Sequence, residues 1–137
     1  MRTHRLGDIV MARVEDPSGL RINHDHPVII VTPTSQIKEG GEVRVVVISH
    51  NIQKPHPTGH IPMPWSPARH PLTGLWRECV AKCDWTPLVL CANLRDQIGI
   101  TPKGIMDQIY AELAARIAAK KAAREMTDPS GSQWPEP

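Results

Sequence analysis

Phenylalanine is absent from this 137-residue chain, and its aromatic residues are four tryptophans and one tyrosine. The apolar content therefore leans on Val, Ile, Leu and Ala. Fourteen prolines and nine glycines punctuate it, which argues against a helical bundle and for short strands with tight connections. Cysteine is scarce too. Cys79, Cys83 and Cys91 are odd in number and lack a framework spacing, which points to a reducing compartment. No stretch approaches the ~20 apolar residues of a membrane span, and no apolar signal core follows Met1–Arg5. The expectation is a cytoplasmic protein with no membrane association. Gly-rich phosphate loops, HExxH, GxSxG and paired CxxC motifs are all missing, so the common nucleotide, zinc-protease and serine-hydrolase signatures are excluded.

Charge is weak evidence as well. The net charge is +2, too small to prove a nucleic-acid partner. All seven histidines precede residue 71, so that part of the chain gains positive charge below pH ~6.5, the unperturbed imidazole pKa. The length suits one domain on a prior of ~150 residues. A 40% hydrophobic fraction rules against disorder of the whole chain.

What is present reads mainly as β structure. Gly7–Val14 begins with a turn residue and becomes apolar and β-branched, as a strand does. Residues 15–25 read as a loop. Pro27 holds His26 extended and favours a strand start there, followed by Val28–Val31. Val43–Ser49 is the clearest strand, with a short edge strand at Ile61–Trp65. Cys79–Trp85 alternates, setting Cys79, Ala81, Cys83 and Trp85 on one face and Lys82 with Asp84 on the other. Leu88–Cys91 supplies a last short strand. Thr101 as N-cap and Pro102 at the first helical position announce a helix. Its stripe comprises Ile105, Met106, Ile109, Tyr110, Leu113 and Ile117. Residues 1–117 read as one domain; 118–137 read as a helix extension with a disordered tail.

Three groups carry candidate chemistry. Cys79 and Cys83, four apart on a strand, would stand ~13 Å from each other, too far to share an ion; inert thiols and no metal are expected. His24-Asp25-His26 is either a solvated loop or presents His26 to a ligand. Lys82 and Asp84 are either a surface ion pair, worth ~0–1 kcal/mol, or a base beside a cation, as phosphoryl chemistry requires. Beyond Ser49, the run His50-Asn51-Ile52-Gln53-Lys54 is either a simple exit loop or a set of donors for RNA backbone.

Taken in order, these segments resemble the MazF/PemK family of toxin–antitoxin ribonucleases over about residues 6–117. The likeness rests on Gly7-Asp8-Ile9-Val10, Pro27-Val28-Ile29-Ile30-Val31, Val45–Ser49 with Asn51-Ile52-Gln53, Thr73-Gly74-Leu75, Lys82-Cys83-Asp84 and the helix at Ile105–Ile117. It implies an α+β, mainly β fold: an SH3-like barrel with one C-terminal helix, usually a homodimer. It also implies cofactor-free endoribonuclease activity on single-stranded RNA, with the 2′-hydroxyl as nucleophile, and an antitoxin partner. On that basis Asp84, His26, Lys82 and Ser49 are the expected catalytic residues. Arg21, His24, Asp25, His50, Asn51, Gln53 and Lys54 are the expected RNA contacts. Many members carry Arg at the positions of His26 and Lys82, so a non-catalytic SH3-like module binding RNA or protein is the rival expectation. A gyrase-directed relative on the same barrel is a further one.

Overall fold

The computed structural model describes residues 4–15 and 21–127, apart from the side chains of 21–24, 126 and 127. Seven strands follow in chain order: β1 (Asp8–Glu15), β2 (Arg21–Ile30), β3 (Glu42–Ser49), β4 (His60–Pro62), β5 (Val80–Lys82), β6 (Leu88–Leu90) and β7 (Leu94–Ile100). One helix, α1 (Lys103–Thr127), ends the described chain. All strand pairs are antiparallel, in the order β4-β5-β3-β2-β1-β7, with β6 added to the N-terminal part of β3. No ladder among the described residues joins β4 to β7, so the sheet is barrel-like without closing.

The residues between β4 and β5 bridge those two ends. Ile100 N–H donates to Leu72 O at 2.8 Å, and a Cβ on Gly99 would collide with the Thr73 backbone. Gly74 lies at φ 71° and against Ile98 O, a conformation and a closeness that only glycine permits. Thr73, fully buried, donates from Oγ1 to Pro64 O at 2.9 Å and accepts from Leu75 N–H. The Thr73-Gly74-Leu75 signal is thus a seam of the barrel.

Two cores occupy the two faces of the sheet. Ile9, Ile29, Val46, Ile48, Leu75, Cys79, Ala81 and Cys83 pack with Met106 and Ile109 of α1. Val10, Val28, Ile30, Val43, Val45, Val47 and Val89 pack with Trp85. Since side chains alternate along a strand, Val45–Val46–Val47–Ile48 feeds both cores, which is why every one of these residues is buried.

Several expectations are corrected. Residues 21–25 are strand, and Pro27 lies inside β2 opposite Met11. The recorded pairing of β2 with β3 starts at Val28, just past the residue that lacks an N–H. β7 carried too weak a pattern to be foreseen: LRDQIGI is mostly half-exposed, and two register shifts interrupt its ladder with β1. The strand expected over Ile61–Trp65 is His60–Pro62. Cys83 and Asp84 form a turn, closed by Trp85 N–H donating to Lys82 O at 2.9 Å. That turn sends Trp85 to the opposite core from Cys83 and takes Asp84 off the strand face of Lys82.

Helix α1 starts at Lys103, so Thr101 and Pro102 precede it. Thr101 Oγ1 is buried without a hydrogen-bond partner and caps nothing, while Thr101 N–H donates to Gly7 O and ties α1 to β1. The packed stripe ends at Leu113; Ile117 is 68% exposed. Residues 118–125 are exposed helix, and 128–137 lie outside the described residues.

Candidate functional site

The strand ladders align most of the expected catalytic residues. Val28 pairs with Val47, Val47 with Lys82, and Lys82 with His60, giving one row across four strands. Ser49 pairs with Val80, one step of the pleat away on the same face, so Ser49 and Lys82 are diagonal neighbours at ~7–8 Å. His26 lies two residues from Val28 and shares that face by alternation. His26, Ser49, Lys82 and His60 therefore belong to one side of the sheet, the side that Trp85 covers.

Each is held differently. His26 is 9% exposed, its ring edge-on to Trp85 at 5.4 Å between centroids. Trp85 is itself fixed by Nε1–H donating to Glu15 O at 2.8 Å. Ser49 is buried, and its Oγ accepts the Asn51 N–H at 3.1 Å, leaving its own O–H proton to donate elsewhere. Asp84 stands in the turn after β5, half exposed. Its two carboxylate oxygens each lie 3.4 Å from His60 Nε2. The His60 side chain is 7% exposed, and its Nδ1 is buried with no partner. Sequence reading missed His60; the one available signal was its place beside Ile61 at the start of a short strand.

Two hollows open near these residues. One, of about 240 Å³, is lined by Asp25, His26, His50, Trp76 and Arg77 over a floor of Met11, Ile48 and Leu75. The other, of about 380 Å³, runs between the β5–β6 connection and α1, where Asp84 and Thr86 face Arg44, Arg116 and Lys120. His26 thus lines the first hollow and Asp84 the second, and Trp85 lines neither.

The expected RNA contacts are also distributed. Asp25 and His50 line the first hollow. Asn51 and Gln53 are exposed in the loop after β3, and Lys54 pairs with Glu78 at 3.1 Å. Arg21 and His24 lie on β2 with side chains outside the described residues. Three residues unforeseen as site residues join them. Trp76 is 37% exposed, Arg77 is exposed, and the Arg69 guanidinium lies 4.7 Å over the Trp76 ring.

The cysteines stay outside this chemistry. Burial, reinforced by Glu78, pushes the Cys79 thiol up to about 11. Burial, reinforced chiefly by Glu112 and opposed by Arg116, does the same to Cys83. Both are neutral thiols near pH 7 and poor nucleophiles. Among the described residues, no group of three or more His, Cys, Asp and Glu is arranged to hold a metal ion.

Known proteins place this geometry. No curated protein matches the chain significantly. Solved structures do. A MazE–MazF complex from Deinococcus radiodurans aligns with TM-score 0.63 and 14% identity, covering 85% of this chain and 97% of that one. A mycobacterial endoribonuclease in complex with its cognate antitoxin aligns at 0.62 and 18%, covering 84% and 95%. The Mycobacterium tuberculosis toxin MazF-mt6 aligns at 0.55 and 21%, covering 77% and 90%. At these identities the likeness establishes a shared fold. No described helix is long and apolar enough to cross a membrane. The family model of the PemK-like, MazF-like toxins matches residues 5–117, the sheet and the packed part of α1 together, and the chain belongs to that toxin family of type II toxin–antitoxin systems.

Proposed function

We propose that the protein is an endoribonuclease toxin that cleaves single-stranded RNA without a metal ion. The observation that carries this reading is the register that sets His26, Ser49 and Lys82 on one face, with Asp84 held against His60 in the turn that follows β5. In the reaction the Asp84 carboxylate takes the proton from a ribose 2′-hydroxyl. The freed oxygen attacks the adjacent phosphorus, and the bond to the 5′-oxygen breaks. His26, reaching the phosphate from the neighbouring hollow, gives a proton to that leaving oxygen. Lys82 Nζ and the Ser49 hydroxyl stabilise charge on the phosphoryl oxygens, where the loss of one good donor costs ~100–1000-fold in rate. The products are a 2′,3′-cyclic phosphate and a 5′-hydroxyl. His50, Asn51, Gln53, Lys54 and Asp25, with Arg21 and His24, contact the strand on either side. The protein acts in the cytoplasm as a homodimer and is neutralised by an antitoxin, as the complexes among its structural neighbours suggest by analogy.

Cleavage of a single-stranded RNA in EDTA, with cyclic-phosphate ends, tests this directly. Loss of cleavage in folded Asp84→Ala and His26→Ala supports the assignment; unaffected cleavage in both sinks it. One observation favours the rival reading of a non-catalytic SH3-like binding module. The His26 imidazole is buried edge-on to Trp85, as a structural histidine would be. RNA binding with no cleavage products would decide for that module.

A further inference from the structure

Arg13 on β1 and Arg95 on β7 flank Asp25 of β2. Arg13 Nε lies 3.9 Å from Asp25 Oδ1, and Arg95 Nε lies 3.6 Å from Oδ2. Both distances are ion-pair contacts longer than hydrogen bonds. Among the described residues, Asp25 Oδ1 is buried without a hydrogen-bond partner. A bridge built for stability would have closed on that oxygen, since an unsatisfied buried acceptor is costly. Here the carboxylate draws two guanidiniums toward one point without a short hydrogen bond to either Nε. The two arginine side chains are 52% and 56% exposed.

Position gives this arrangement its meaning. Asp25 lines the 240 Å³ hollow with Trp76, His50 and Arg77. Arg13 and Arg95 line an adjoining polar hollow of about 540 Å³ together with Glu15 and Asn93. The triad is therefore the junction between an aromatic-lipped hollow and an open polar one. A planar guanidinium grips phosphate in a two-pronged way, and exposed aromatic faces accept stacked bases from single strands. Among the described residues, Glu15 is the carboxylate in the second hollow that opposes an anion.

We propose that Arg13 and Arg95, aligned by Asp25, form a phosphate clamp for a single-stranded nucleic acid whose neighbouring base stacks on Trp76. This rests on the ribonuclease reading and adds to it a path for the strand away from the cleaved bond. Asp25 is a positioning residue in this scheme.

The probe is a fluorescein-labelled 2′-O-methyl RNA 12-mer of mixed sequence, which has no free 2′-hydroxyl to attack, followed by anisotropy across a salt series. Arg13→Ala and Arg95→Ala should each weaken binding roughly tenfold and lower the salt slope by about 0.7, the value for one single-strand phosphate contact. Trp76→Ala should weaken binding roughly tenfold with the slope unchanged. The sharpest comparison is between two carboxylates. Glu15→Gln and Asp25→Asn add the same charge, yet Glu15→Gln should tighten binding and Asp25→Asn should weaken it. Lys38→Ala, exposed elsewhere, is the control, and circular dichroism checks folding.

Tighter binding in Asp25→Asn overturns the clamp, as does indifference to both arginines. Binding of a poly-glutamate peptide that depends on the two arginines while RNA binding does not would also overturn it and assign the surface to a protein partner. A native chain that still cleaves natural RNA in those cases leaves the ribonuclease reading standing; a native chain that binds no oligonucleotide overturns both.

Discussion

The surroundings of His26 and of Asp84 are built on opposite terms. On one side His26 is 9% exposed and locked against the indole, in a sheet whose neighbours are valines and isoleucines. On the other, Asp84 sits in a turn, its side chain 49% exposed, touching His60 and facing cations from β3 and α1. A group in the first environment contributes to packing and cannot be removed without structural cost. A group in the second contributes charge at the surface and can be removed almost freely. Substitutions on the two sides should therefore separate stability from activity.

The largest effect is expected at the indole that His26 packs against. Trp85→Ala removes a buried indole and its hydrogen bond to Glu15 O, and should cost about 3–5 kcal/mol in urea unfolding. A loss under 1 kcal/mol would break the contrast. Asp84→Asn comes next. It should reduce RNA cleavage by ~100–10,000-fold, the range for a general base, while unfolding stays within ~0.5 kcal/mol of native. A matching fall in stability would move Asp84 to the structural side.

The thiols beneath the sheet give a smaller, pH-dependent effect. Both folded values are raised from 9.0 to about 11. Between these limits the unfolded chain has released protons that the native chain still holds, so stability is full below pH 9 and falls as pH rises toward 11. The loss is on the order of 2 kcal/mol per thiol. Urea melts at pH 8 and pH 10.5 measure it, and Cys79→Ala with Cys83→Ala should flatten the difference. The smallest effect belongs to the helix overhang. Ending the chain after Ile117 removes residues with no share in either core and should shift stability by under ~0.5 kcal/mol. A larger shift would mean that the helix beyond the cut, with Lys120 and Arg124, contributes more than helix propensity.

Legibility in the sequence followed burial. Val43–Ser49 and Val28–Ile30 announce themselves because both faces of the strand are covered, and only apolar β-branched residues satisfy that. Helix α1 shows through Met106 and Ile109, which repeat at helical spacing because they meet one core. β7 was invisible because its half-exposed residues are free to vary in polarity and its ladder with β1 slips twice. The Cys83–Asp84 turn was misread because Cys79, Ala81, Cys83 and Trp85 are all buried, and alternation alone cannot distinguish one core from two.

The candidate site shows the same division. The local sequence determined the residue types: an imidazole before Pro27, a hydroxyl closing β3, a lysine and a carboxylate around Cys83. Those choices are written in single short segments. Tertiary structure alone decided that His60 meets Asp84, that Arg13 and Arg95 converge on Asp25, and that Trp85 meets His26 and Glu15. Each of those encounters joins segments 12 to 70 residues apart, and the antiparallel ladders that bring them together leave no local pattern to read.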